Sequence, residues 1–229
     1  MIMEPPILHT LEERLDPGST ALIIIDMQKD FCVDGFAASR AERPLAATQA
    51  IIPRLVDLRS AARAVDVLVC YVGFWTLPDH MSDSGPWLAQ RRRASYSSDK
   101  VAVAGTEGAE FIDELTPEDG EAVFHKHRYS AFKGTDLDML LRAHAIRTVV
   151  PTGVSTNVCV ESTLRDAFEY NYYVCVPQDG VASWDRSLHE ATLKTVDARF
   201  GLLTTCEEVK GVWRERAQSR RSRKSAAAE

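Results

Sequence analysis

Three residues of different chemistry each stand at or just after the end of an apolar run. Asp26 ends ALIII, Lys126 ends AVFHK, and Cys159 follows TVVPTGV through the turn STN. A cysteine in the first turn of a helix meets unpaired backbone N–H groups and the positive end of the helix dipole, which favour a thiolate. That is a position for a nucleophile, against which stands the reading of a small apolar residue packing the helix onto a sheet. A carboxyl closing an almost wholly apolar strand is desolvated, and desolvation lifts its pKa toward the range of a general base. The competing reading of Asp26 is a cap for the turn MQKDF. Lys126, flanked by His125 and His127, is either a snorkelling surface residue or an ammonium holding the Asp26 carboxylate and the Cys159 thiolate together. Nucleophile, base and charge stabiliser from three strand ends make up what covalent hydrolysis of an acyl compound requires.

The elements that must position these residues follow from hydrophobic periodicity. Residues 21–25, 66–72, 121–126, 148–153, 172–177 and 202–205 read as strands. Helical spacing covers 45–62, 109–115, 136–144, 157–171 and 187–200. Strands alternating with crossover helices predict an α/β, doubly wound, mostly parallel six-stranded sheet with helices on both faces, a three-layer sandwich. Ligands of such sheets sit at the carboxyl ends of the strands, where the three residues fall. Pro151 lies inside a strand and predicts a local bulge. The stretch 73–107 exceeds ordinary connections and predicts a lid. It carries Trp75, Trp87 and the run Arg91, Arg92, Arg93, which reads as a solvated charge run or as an anchor for a substrate carboxylate.

Composition bounds the setting. With 229 residues, 45% of them hydrophobic and 26% charged, the chain suits one soluble domain over residues 1–213. Residues 214–229 carry a net +4 against −10 for the rest and read as a basic, disordered tail. A net charge of −6 disfavours general binding to nucleic acid. The longest strongly apolar run, 21–25, is far short of the ~20 residues of a membrane span, and the N-terminus lacks an export signal, so a cytoplasmic enzyme without membrane partners is expected. Five cysteines without a CxxC spacing fit a reducing compartment; Cys32, near the Asp26 strand end, is the other thiol placed to react incidentally. Phe31, Tyr129 and Asn157, close in sequence to the three chemical positions, are candidate substrate-binding residues, with packing or capping as the alternative.

The segments ALIIIDMQKDF, FHKHRYSAFKGTDLDMLLRAHAI and TGVSTNVCVESTLRDAFEYNY resemble the isochorismatase-like cysteine hydrolases over about residues 20 to 213. The resemblance puts that family's catalytic triad on Asp26, Lys126 and Cys159. It also implies a cis peptide between Val154 and Ser155, and an oxyanion hole from backbone N–H groups near Ser155 and Cys159. A homo-oligomer, dimer or tetramer, goes with it.

Departures narrow the expectation. Metal-dependent nicotinamidases carry an Asp-x-His motif after the second strand. Here the region reads YVGFWTLPDH, so no metal and no cofactor are expected, with His80 at most an isolated ligand. RYSAF and TNVCVESTLRDAF most resemble amidases of ureido or carbamoyl compounds, which implies a small-molecule amide substrate and ammonia release. The alternatives are a nicotinamidase or other small-amide hydrolase, an isochorismatase-type hydrolase, a Cys-His dyad using His125 or His127, and a catalytically silent thiol-regulated binding protein.

Overall fold

Six strands of the computed structural model lie on the apolar runs of the sequence: β1 Thr20–Ile25, β2 Leu68–Phe74, β3 Ala122–Lys126, β4 Thr148–Val154, β5 Tyr173–Pro177 and, after a two-residue β6 Val181–Ala182, β7 Leu202–Thr204. The structure describes residues 6–93 and 100–226. Every strand pair is parallel, in the order β3-β2-β1-β4-β5-β7, with β6 paired to β4. The sheet therefore has seven strands rather than six. β6 is too short to carry a periodic signal.

Helices α1 Ala46–Arg63, α2 Gly85–Arg91, α3 Leu137–Ala143, α4 Glu161–Glu169, α5 Arg186–Arg199 and α6 Cys206–Ala226 surround the sheet. β1 is wholly buried and feeds both layers. Leu22 and Ile24 pack with Leu55 and Leu58 of α1 and Trp213 of α6. Ala21, Ile23 and Ile25 face the other way, onto Leu141 of α3, Leu164 of α4 and Val196 of α5. Period-two alternation in a strand covered on both sides gives this division. No helix among the described residues is long and apolar enough to cross a membrane.

Four local expectations change. β2 starts two residues late because Asp66, at φ 58, belongs to the turn that leaves α1. The helix expected over 109–115 is two 3-10 turns, Glu107–Ala109 and Asp113–Leu115. Between them Phe111 bridges Gln28, while the Glu110 carbonyl and the Ile112 N–H bond the backbone of Lys29 and Met27.

Pro151 makes no bulge on the β1 side, where it pairs in unbroken register with Ile23. Its ring nitrogen shares the side of Gly153 N–H, which donates to Gly180 O. On that side the β5 ladder ends at Val149 and the β6 ladder begins at Gly153, so the missing donor falls in a gap between partners.

The basic stretch after residue 213 does not follow the expectation of disorder; it continues α6 to Ala226. Thr205 and Glu208 form a reciprocal capping box at the start of that helix. Val209, Val212 and Trp213 anchor it in the core, and Arg214 pairs with Glu207 one face along. The boundary at 213 thus falls inside a helix.

Candidate active site

β1 and β4 are neighbours whose connections run to opposite sides of the sheet, which makes their carboxyl ends the topological switch point. Asp26 follows β1 in a left-handed conformation (φ 51) and donates its N–H to Val72 O at 2.8 Å. Gly153, opposite Ile25, has φ 100, and a Cβ there would lie 2.1 Å from Ile25 O. Only glycine lets the two strand ends come this close. The Val154–Ser155 peptide that follows is cis. The chain then enters a π-helical turn, Thr156–Val160, which carries Cys159 into α4.

Lys126 closes β3 opposite Phe74 of β2 and is completely buried. Its Nζ lies 2.8 Å from Asp26 Oδ2 and 3.3 Å from Cys159 Sγ, and 5.0 Å from the centroid of the Phe74 ring. Asp26 Oδ1 is buried with no hydrogen-bond partner among the described residues. Burial raises the Asp26 carboxyl above its ordinary range, and Lys126 only partly offsets it. Burial alone would lower the Lys126 ammonium, but the Asp26 carboxylate and Cys159 outweigh it and hold the charge on the lysine. Burial, then the Asp26 charge, pushes the Cys159 thiol well up. Desolvation thus acts on this thiol against the dipole of the helix start.

Asp26 and Cys159 border one cavity, walled by Phe31, Phe74, Trp87, Arg91, Val101, Tyr129, Val154, Ser155, Val158 and Trp184. Phe31 and Tyr129 stand where the sequence suggests, packed on Trp184 and Trp87 at 6.3 and 4.7 Å between ring centroids. Asn157 does not line the cavity. Its Oδ1 accepts from Ser155 Oγ at 3.0 Å and from Ser183 Oγ at 2.6 Å, bracing the turn. His125 stacks on Trp75 at 3.5 Å and His127 Nδ1 bonds Trp75 O at 2.7 Å, so neither histidine borders the cavity. Cys32 is buried elsewhere, its thiol raised by burial and then by the Asp26 charge. His80 is half exposed and bonds Asp83 at 2.9 Å. Among the described residues no group of three or more His, Cys, Asp or Glu is arranged to hold a metal ion.

Sequence reading missed Phe74, Val101 and Trp184; Trp87 and Arg91 it placed in the long loop, Arg91 only as one of three arginines read as a solvated run or a carboxylate anchor. It also missed Gln28 and Asp30, which hold the walls. Asp30 is buried and accepts the N–H groups of Ala37 and Ala102 at 3.1 and 2.7 Å, tying the long loop to the turn after β1. A buried carboxylate needs such donors, and the pattern DMQKD, polar residues directly after an apolar strand, was the available signal.

The profile of the Isochorismatase domain matches residues 20–208. The chain belongs to the isochorismatase family. Within the family, the ureidoacrylate amidohydrolase RutB of Methylorubrum extorquens is 36% identical over 196 residues, 81% of this chain and 79% of that protein. A cysteine hydrolase from Pseudomonas syringae pv. phaseolicola 1448A superposes with a TM-score of 0.80 at 29% identity, covering 93% of this chain and 100% of its own. The N-carbamoylsarcosine amidase of Thermoplasma acidophilum superposes with a TM-score of 0.65 at 28% identity, covering 82% and 96%. The mostly parallel, helix-covered sheet is the isochorismatase-like α/β fold.

Proposed function

We propose that this chain is a cysteine-dependent amidohydrolase that cleaves a small ureido or carbamoyl amide, of the ureidoacrylate, biuret or N-carbamoyl amino acid type, through a thioester. By its domain and its amidohydrolase relatives, the chain is a hydrolase of amide C–N bonds; the substrate and the thioester are the proposal. The carrying observation is the buried Lys126 ammonium between Asp26 Oδ2 at 2.8 Å and Cys159 Sγ at 3.3 Å, with the acid and the thiol both facing one cavity.

The cycle follows from these positions. Asp26 takes the thiol proton as Sγ attacks the carbonyl carbon, so that no free thiolate builds up beforehand. Lys126 balances the charge passing between sulfur and carboxylate. Backbone N–H groups at Ser155 and Cys159 receive the developing oxyanion, each worth about 3–4 kcal/mol in comparable sites. Protonated Asp26 hands its proton to the departing nitrogen, the C–N bond breaks, and ammonia leaves a thioester on Cys159. Asp26 then takes a proton from water as its oxygen attacks the thioester, and the proton returns to sulfur as the acid departs. Side chains and backbone of this chain perform every step, so the cycle calls for no cofactor.

The test is an ammonia-release screen over ureidoacrylate, biuret, N-carbamoyl amino acids, maleamate and nicotinamide, joined to intact-mass detection of an acyl adduct on Cys159. Turnover of a ureido or carbamoyl compound with loss of the adduct in Cys159→Ala is expected. Turnover that persists in Cys159→Ala defeats the covalent cycle, and nicotinamide outpacing every ureido compound defeats the substrate class.

A further inference from the structure

A serine or threonine at the start of a helical turn commonly sets its hydroxyl on the N–H groups of that same turn. At the turn Thr156–Val160 both hydroxyls are drawn elsewhere. Ser155 makes no side-chain cap, and its Oγ bonds Asn157 Oδ1. Thr156 Oγ1 pairs with Nδ1 of His189 at 2.8 Å. Thr156 is only 1% exposed, so its hydroxyl has no bulk water to turn to and must find its partner in the protein. His189 comes from α5. One turn further along that helix, Thr192 donates to Glu161 Oε2 at 2.6 Å, which seats α5 against the first residue of α4 and holds His189 in place. His189 does not border the cavity and has no part in the proposed cycle.

We infer that His189 is a positioning residue: by taking up the buried Thr156 hydroxyl, it keeps the backbone N–H groups of the turn for the oxygen of the carbonyl that Cys159 attacks. This inference rests on the amidohydrolase reading only in that Cys159 is acylated. Without a ring nitrogen at position 189, the nearest partners of the hydroxyl are in the turn itself, the N–H groups two and three residues on, at Val158 and Cys159. Val158 N–H is given to Ser155 O at 3.0 Å. A hydroxyl set on Cys159 N–H competes with the oxyanion for that donor. Imidazole suits the task in either tautomer, since Nδ1 accepts from a hydroxyl when bare and donates to it when protonated.

Two reagents on one sulfur test this without the natural substrate. With p-nitrophenyl acetate, Sγ bonds the acetyl carbon, the thiol proton passes to Asp26, and the C–O bond breaks to release p-nitrophenolate, a step that uses the oxyanion donors. Iodoacetamide alkylates the same sulfur at a saturated carbon and does not use them. His189→Phe and His189→Leu fill the site without the nitrogen, and each is expected to slow acetylation by roughly 10- to 100-fold while alkylation stays within about threefold of wild type. His189→Asn, which offers an amide in place of Nδ1, is expected to recover most of the rate. So is Thr156→Val added to His189→Phe, because the competing hydroxyl is then gone. Acetylation at the wild-type rate in both His189→Phe and His189→Leu overturns the inference. An equal fall in acetylation and alkylation, or a double variant no faster than His189→Phe, also overturns it and leaves His189 a mere prop of the turn. Wild-type protein acetylated no faster than Cys159→Ala overturns it as well. If the expected pattern holds with the ester but no amide is hydrolysed, the inference stands and the amidohydrolase reading falls; amide turnover untouched by His189→Phe does the reverse.

Discussion

The side-chain amide of Gln28 brackets the backbone of Phe74, accepting its N–H through Oε1 at 2.8 Å and donating to its carbonyl through Nε2 at 3.0 Å. The same Nε2 donates to Ala109 O at 2.7 Å. A side chain thus does the work of a neighbouring strand at the end of β2, where the backbone turns away toward the long loop. Phe74, so held, is both cavity wall and the ring beneath the Lys126 ammonium.

Replacing Gln28 by Met keeps the length and removes the bracket. The Phe74 N–H and two carbonyls lose their partner in the interior, which is expected to cost roughly 2–5 kcal/mol in urea unfolding. Turnover is expected to fall with it. A stability within ~0.5 kcal/mol of wild type, the range of an ordinary surface change, counts against the bracket.

Lys126→Met leaves Asp26 buried without its cation. Breaking such a pair from one side is expected to cost about 3–5 kcal/mol, more than removing both charges in Asp26→Asn/Lys126→Met. Burial then raises the orphaned carboxyl with its chief opposing charge gone, as it already raises Asp26 against Lys126. A raised folded pKa means stability present at low pH and lost as pH rises through that value, so the single variant should regain stability on mild acidification. Urea midpoints from pH 5 to 8 check this; a single variant as stable as the double, with no recovery at low pH, refutes it.

The thiol of Cys159 is raised by burial and by Asp26. Its alkylation by iodoacetamide is therefore expected to climb with pH beyond the ordinary thiol value of ~8.5 rather than level off near neutrality. Asp26→Asn removes one of the two upward pushes and should speed alkylation at any given pH below that value. Intact-mass kinetics from pH 6 to 10 decide it, and a plateau below pH 7 would reveal a preformed thiolate.

Gly153→Ala sets a methyl 2.1 Å from Ile25 O at a backbone angle that side chains avoid. The strand ends must part, with an expected loss of roughly 2–4 kcal/mol and of most activity. Asp26 rides on that strand end. Wild-type turnover in this variant would show that the site tolerates the separation.

The long-range architecture and the three central residues were legible because each leaves a mark in a short window. A wholly apolar run ending in a charge announces both a buried strand and a buried carboxyl, as ALIIID does at Asp26. The cavity walls left no such mark. Trp184 follows a two-residue strand, Phe74 lies past the expected end of β2, and Arg91 is indistinguishable in sequence from its two exposed neighbours. Proximity of Asn157 in sequence to Cys159 does not give side-chain direction; its amide oxygen turns to Ser155 and Ser183. The burial that raises the thiol had no mark in sequence, because a helix start acts over one turn whereas desolvation depends on the whole surrounding fold.

Pro151 shows how a tightly hydrogen-bonded sheet can be parted without leaving an orphan. Where β4 exchanges β5 for β6, any other residue would point an N–H into a gap with no strand to receive it. Proline has none to strand, and its other face keeps full register with β1. For anyone building new clefts into parallel sheets, the practical rule is to put an imino acid at the fork, on the side that opens.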